Sequence, residues 1–128
     1  MNPEPTADHD AYECPPPPAG ITERAAAFWS DFHDEMDEDD LDPDARETAI
    51  LTEAVRAMST VDRLEDQASR LESVLVPGST GNERVHPVLA EIDKNRKTIA
   101  TLLTALKPPA DRSAIGRANA ARRRDRRR

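Results

Sequence analysis

Residues 78–109 read G-S-T-G-N-E-R-V-H-P-V-L-A-E-I-D-K-N-R-K-T-I-A-T-L-L-T-A-L-K-P-P. A flexible Gly-Ser-Thr-Gly loop runs into His86-Pro87, and that pair opens a helix closed by Pro108-Pro109. Pro87 suits the first helical position, where its missing N–H would have had no partner. Val85, Ile92, Ile99 and Leu106 recur every seven residues, and Val88, Leu89, Leu102 and Leu103 fill the positions between. Asn95-Arg96 interrupts this narrow apolar seam, where two polar residues either face inward or mark a register point. A helix of this kind requires another helix to cover it.

Working back along the chain, Asp42-Pro43-Asp44 predicts a second helix start, with Asp42 as N-cap, Pro43 first inside and an acid near the positive helix end. Ile50, Leu51, Ala54, Val55, Met58, Val61, Leu64, Ala68, Leu71 and Val74-Leu75 form one stripe, so the helix is expected to run to about Leu75. Val76-Pro77-Gly78 then ends it. Further back, Thr22 is the expected N-cap of a shorter helix, to about Asp37, with Ala25, Phe28, Trp29, Phe32 and Met36 on one face. The expected fold is all-α: a short aromatic helix packed on a long antiparallel helical hairpin, with disordered termini. Residues 1–20 form a Pro-rich acidic leader, 21–109 the helical oligomerisation domain and 110–128 an Arg-rich tail.

Composition points the same way. The chain has 128 residues, 34% of them charged and 3% aromatic, so a lone copy has a thin core. The missing burial is expected from further copies of the chain or from a partner. Val61, Leu64, Leu71, Leu89, Ile92, Ile99, Leu102, Leu103 and Leu106 are the candidate contacts. Cys14 is the single cysteine, which excludes a disulfide framework and a multi-cysteine zinc site; beside the prolines at 15–18 it reads as a passive thiol. No apolar run approaches the ~20 residues of a membrane span, and the acidic, proline-rich start is unlike a signal peptide. A soluble, intracellular protein is expected.

Charge is segregated along the chain. Residues 111–128 hold eight Arg and two Asp, a balance of +6, whereas the other 110 residues carry ten basic and 23 acidic side chains. The overall pI of about 4.9 therefore conceals a cationic tail. Arg117, Arg122, Arg123, Arg124, Arg126, Arg127 and Arg128 are candidate phosphate contacts, with Lys94, Arg96 and Lys97 adding a basic patch on the last helix. A tail without aromatics or a groove-filling helix would bind with little sequence preference. The alternative partner for the same arginines is an acidic protein surface.

Nothing in the sequence assembles a catalytic group. His9, His33 and His86 show no ligand spacing, and Gly78-Ser79-Thr80-Gly81 lacks the Lys-Ser/Thr ending of a phosphate-binding loop. Asp40, Asp42 and Asp44 imitate the alternate ligands of a calcium loop, but its sixth position would be Ala45 instead of Gly and its twelfth Leu51 instead of Glu. No enzyme activity, metal or cofactor is expected. Nine acids and no Lys or Arg between residues 31 and 44 read instead as a solvated turn or a surface for a basic partner.

The ordered set of residues resembles the small terminase subunit of tailed double-stranded-DNA bacteriophages, in its actinobacterial-phage form. The likeness spans residues 25–109: Phe28-Trp29, the acidic turn, Glu53-Ala54-Val55-Arg56, Gly78 and Gly81, His86-Pro87, Glu91, Arg96, Leu102-Leu103, Leu106 and the doubled proline. The Ala/Arg-rich tail is also familiar from that family. The resemblance implies a non-catalytic DNA-binding adaptor, a ring-forming homo-oligomer of helical subunits, larger than a dimer, that recognises viral DNA for packaging. It would present that DNA to the large terminase subunit and regulate its ATPase and nuclease. Many small subunits bind DNA through an N-terminal helix-turn-helix; here that region is acidic, which moves the expected contact to the Arg tail and to Lys94, Arg96 and Lys97. The alternative is a small coiled-coil scaffold or regulator that binds acidic protein partners through the Arg tail.

Overall fold

A computed structural model describes residues 12–79, 81–106 and 123–126 of the chain. Three helices carry it: α1 (Glu23–Glu38), α2 (Ala45–Ser69) and α3 (Pro87–Ala105). Between α2 and α3 lies a two-stranded antiparallel hairpin, β1 (Leu75–Pro77) with β2 (Glu83–Val85). The fold is mostly helical, and α1 and α3 both pack on α2.

One apolar cluster joins Ala25 and Trp29 of α1, Leu51, Val55 and Met58 of α2, and Leu106 just past α3. A second holds the other half of the hairpin together through Val61, Val88 and Ile92. The predicted stripe on α2 is thus real through Val61, and Leu64, Ala68 and Leu71 continue it, half-buried against the second cluster. It stops short of Leu75, however, because α2 ends at Ser69. Ser69 turns its hydroxyl back to the Asp66 carbonyl at 2.6 Å, and the N–H groups of Arg70 and Leu71 bond Gln67 and Ala68 in a tightened last turn. Residues 74–76, with two valines around a leucine, then suit extended chain better than helix.

The loop expected to be flexible is instead the turn of the hairpin, which pairs Leu75 with Val85, Val76 with Arg84 and Pro77 with Glu83. Gly78 is required because a Cβ there would lie 2.5 Å from the Asn82 carbonyl oxygen, and Gly81 because its φ is +86°. Val85 therefore belongs to a strand and not to the heptad seam. His86 N–H bonds the Val74 carbonyl at 2.6 Å and closes the hairpin.

One helix start differs from expectation, and at another the expected cap residue is in place but bonds elsewhere. Asp44, not Asp42, caps α2: its carboxylate accepts the Glu47 N–H at 2.7 Å while Glu47 reaches back, a reciprocal capping box. Thr22 occupies the N-cap of α1, yet its hydroxyl bonds Asp62 on α2 and its N–H donates to Ser59 Oγ at 2.9 Å. This residue fastens α1 to α2 instead of capping its own helix. His86 does cap α3, its Nδ1 accepting the Val88 N–H at 3.0 Å ahead of Pro87.

The leader also departs from its reading as disordered chain. Trp29 Nε1 donates to the Pro15 carbonyl at 2.9 Å, and Cys14 and Ile21 pack against the Trp29 cluster. Residues 1–11 of that leader lie outside the described residues. Among the described residues no helix is long and apolar enough to cross a membrane.

Candidate polyanion-binding surface

Helix α1 ends in a Schellman cap. The N–H of Leu41 bonds the Met36 carbonyl at 2.7 Å and that of Asp40 bonds Asp37 at 3.0 Å. This motif places Asp40 in the left-handed region, at φ 58°, where glycine is the unstrained residue. The next residues lead directly into the Asp44 cap, so the acidic turn between α1 and α2 is fixed by hydrogen bonds at both ends.

The tail meets this turn. Residues 123–126 form a single helical turn. Arg123 grips Asp42 with two bonds, Nη2 to Oδ1 and Nε to Oδ2, both 2.7 Å. Arg124 pairs with Asp40. The Asp42 side chain is only 16% exposed, so its charge is held largely out of water. Arg126 is exposed, and Arg117, Arg122, Arg127 and Arg128 lie outside the described residues.

The basic patch predicted on α3 divides. Lys94 and Lys97 share the outer face with Thr98 and Thr101 around a shallow depression, and Lys97 pairs with Asp93 at 2.9 Å one turn earlier. Arg96 points the other way and pairs with Glu65 of α2 across the hairpin. Asn95, the other polar break in the seam, donates to the Glu91 carbonyl at 2.8 Å.

The residues expected to join copies are largely used within the chain. Val61 and Ile92 are buried between α2 and α3, with Leu64, Leu71, Leu89 and Ile99 half-buried around them. Leu106 is buried beneath Trp29, Leu103 lies beside that cluster, and Leu102 is half-buried. Among the described residues, the aliphatic side chains left most exposed are instead Val74, Leu75 and Val85 around the hairpin. Their exposure has no sequence signature, because apolar spacing places the first two on α2 and the third on α3.

Among the described residues no group of three or more His, Cys, Asp or Glu side chains is arranged to hold a metal ion. The calcium-like spacing at 40, 42 and 44 is used otherwise, by Arg124, Arg123 and the Glu47 N–H. His33 is buried, and its Nδ1, 2.8 Å from the Trp29 carbonyl, must donate because a carbonyl only accepts. No protein-family model, curated protein or solved structure matches the chain.

Proposed function

We propose that this chain is a non-catalytic DNA-binding adaptor of the small terminase subunit kind. It assembles with further copies, engages double-stranded viral DNA and presents it to a large packaging subunit. The observation that carries the reading is the charge separation: a tail of balance +6 on a body otherwise rich in acid. Closely spaced guanidinium groups neutralise phosphates and gain from counterion release, whatever the base sequence. The outer face of α3, with Lys94 and Lys97, offers a second place for backbone contacts. Val74, Leu75 and Val85, each more than 40% exposed, offer apolar surface for assembly.

A second reading has its own support. Arg123 and Arg124 bind carboxylates, so the tail is chemically fitted to acidic protein surfaces, as a scaffold or regulator would need. Native mass spectrometry with and without duplex DNA separates the two. The adaptor gives a discrete oligomer larger than a dimer that retains DNA, and loses most of that DNA when residues 110–128 are removed. A monomer or dimer indifferent to duplex at low salt rejects the adaptor in favour of the scaffold.

A further inference from the structure

The acidic turn and the arginine tail lie 81 residues apart in sequence, yet they meet through two adjacent ion pairs. Their geometry is specific. Arg123 lays the side of its guanidinium flat against both oxygens of Asp42, the pairing that gives charge-assisted bonds directional strength. Arg124, the next residue, reaches Asp40, two positions before Asp42 in the same turn.

Asp40 is the less expected member. It stands at the C′ position of the Schellman cap in a left-handed conformation that glycine adopts without strain. A carboxylate at that site costs backbone energy and adds negative charge near the negative end of α1. What it provides in exchange is a partner for Arg124.

We infer that the α1–α2 turn is a docking site for the chain's own arginine tail, and that docking withholds Arg123 and Arg124 from phosphate until a polyanion displaces the acids. The withholding half rests on the polyanion-binding reading above; the docking half does not. The strength of the contact suits such an exchange. Each pair has at least one partner more than half exposed, so each contributes only modestly. Duplex DNA, with one charge per ~1.7 Å of axis, competes effectively for the same guanidinium groups. Nine acids between residues 31 and 44 also repel DNA, so the docked tail is held on a surface that the duplex avoids.

The test uses the full-length chain with Asp40→Gly/Asp42→Asn. Glycine at position 40 relieves the left-handed strain, so this variant keeps the turn while losing both charges. Heteronuclear NMR relaxation of residues 123–126 reads the docking. Ordered values are expected in the parent, and they fall in this variant, in Arg123→Gln/Arg124→Gln and at high salt. Equal relaxation in parent and variants overturns the docking, and order that disappears on dilution overturns its intrachain form. Anisotropy with a fluorescent duplex reads the withholding. Asp40→Gly/Asp42→Asn should bind about three- to tenfold more tightly than the parent, the equivalent of releasing two weak ion pairs. A freed tail with unchanged affinity overturns the withholding. A freed tail with no binding in either protein overturns both the withholding and the adaptor reading, and leaves the docking standing.

Discussion

Trp29 donates its indole N–H to the main-chain carbonyl of Pro15, fourteen residues earlier, at 2.9 Å. The bond explains how a proline-rich strap holds to α1 with few side chains to bury. Prolines have φ already fixed, so ordering them loses little entropy, and their carbonyls stay free to accept. The Trp29→Phe variant keeps an aromatic ring in the cluster and removes the donor. It should cost about 1–2 kcal/mol in urea unfolding. The thiol of Cys14, packed beside the same cluster, should at the same time react faster with an aromatic disulfide reagent. An unchanged thiol rate would show that this bond does not hold the strap.

The two acids at the start of α2 have different duties and should be separable by mutation. Asp44 caps the helix through the Glu47 N–H, so Asp44→Ala should lower stability by about 1 kcal/mol in a thermal melt. Asp42→Ala should leave the helical circular dichroism intact and act chiefly on the tail. Equal losses of helix stability in both variants would contradict the assignment of the cap.

How much of this was legible depended on the range of the interaction. The α3 start was readable because Pro87 has no N–H to lose and His86 can bond the next free one, both local facts. The stripe on α2 was readable because its residues repeat within a turn. The heptad that included Val85 failed because spacing alone carries no information on which side of Pro87 the helix lies. The α2 end failed because Val74 and Leu75 continue an apolar pattern while their backbone pairs with β2 and His86. The contacts of Pro15 with Trp29 and of Arg123 with Asp42 have no local signature. Charge segregation announced that acids and arginines were sorted, and gave no sign that the chain would join them itself.

Tyr12, the single tyrosine, reports on the strap from its other end. Loss of water around its phenol raises its pKa well above the ordinary 10.0, with hydrogen bonding to Cys14 and Asp34 and their negative charge adding to the effect. A raised folded-state value means that the neutral phenol is the form the fold favours. The contribution to stability is therefore complete below about pH 10 and is lost as pH rises through the folded-state value. Tyr12 remains 40% exposed, so the stability involved is small and the titration itself is the better observable. Tyrosinate absorbance should appear above pH 10 in the folded protein, and Asp34→Asn should bring its midpoint back towards 10. A midpoint already at 10 in the parent would detach Tyr12 from α1.

The division of the α3 patch predicts opposite behaviour from neighbouring cations. Among the described residues Lys94 has no ion pair, and Lys97 has only the exposed Asp93 one turn earlier, so both are available to phosphates. Arg96 already faces Glu65 across the hairpin, and both partners are more than 40% exposed. If DNA lies along the outer face of α3, Lys94→Ala/Lys97→Ala should reduce the log–log salt dependence of binding by about two, one for each ammonium group removed from a phosphate. Arg96→Ala should leave that slope unchanged and lower unfolding stability by less than about 1 kcal/mol, the ordinary worth of an exposed pair. Anisotropy titrations across a salt series, run beside urea melts of the same variants, separate the two effects. A slope that falls by about one for Arg96→Ala would place the duplex in the groove where Arg24 of α1, Glu65 of α2 and Arg96 of α3 rim an apolar floor of Val61 and Ile99.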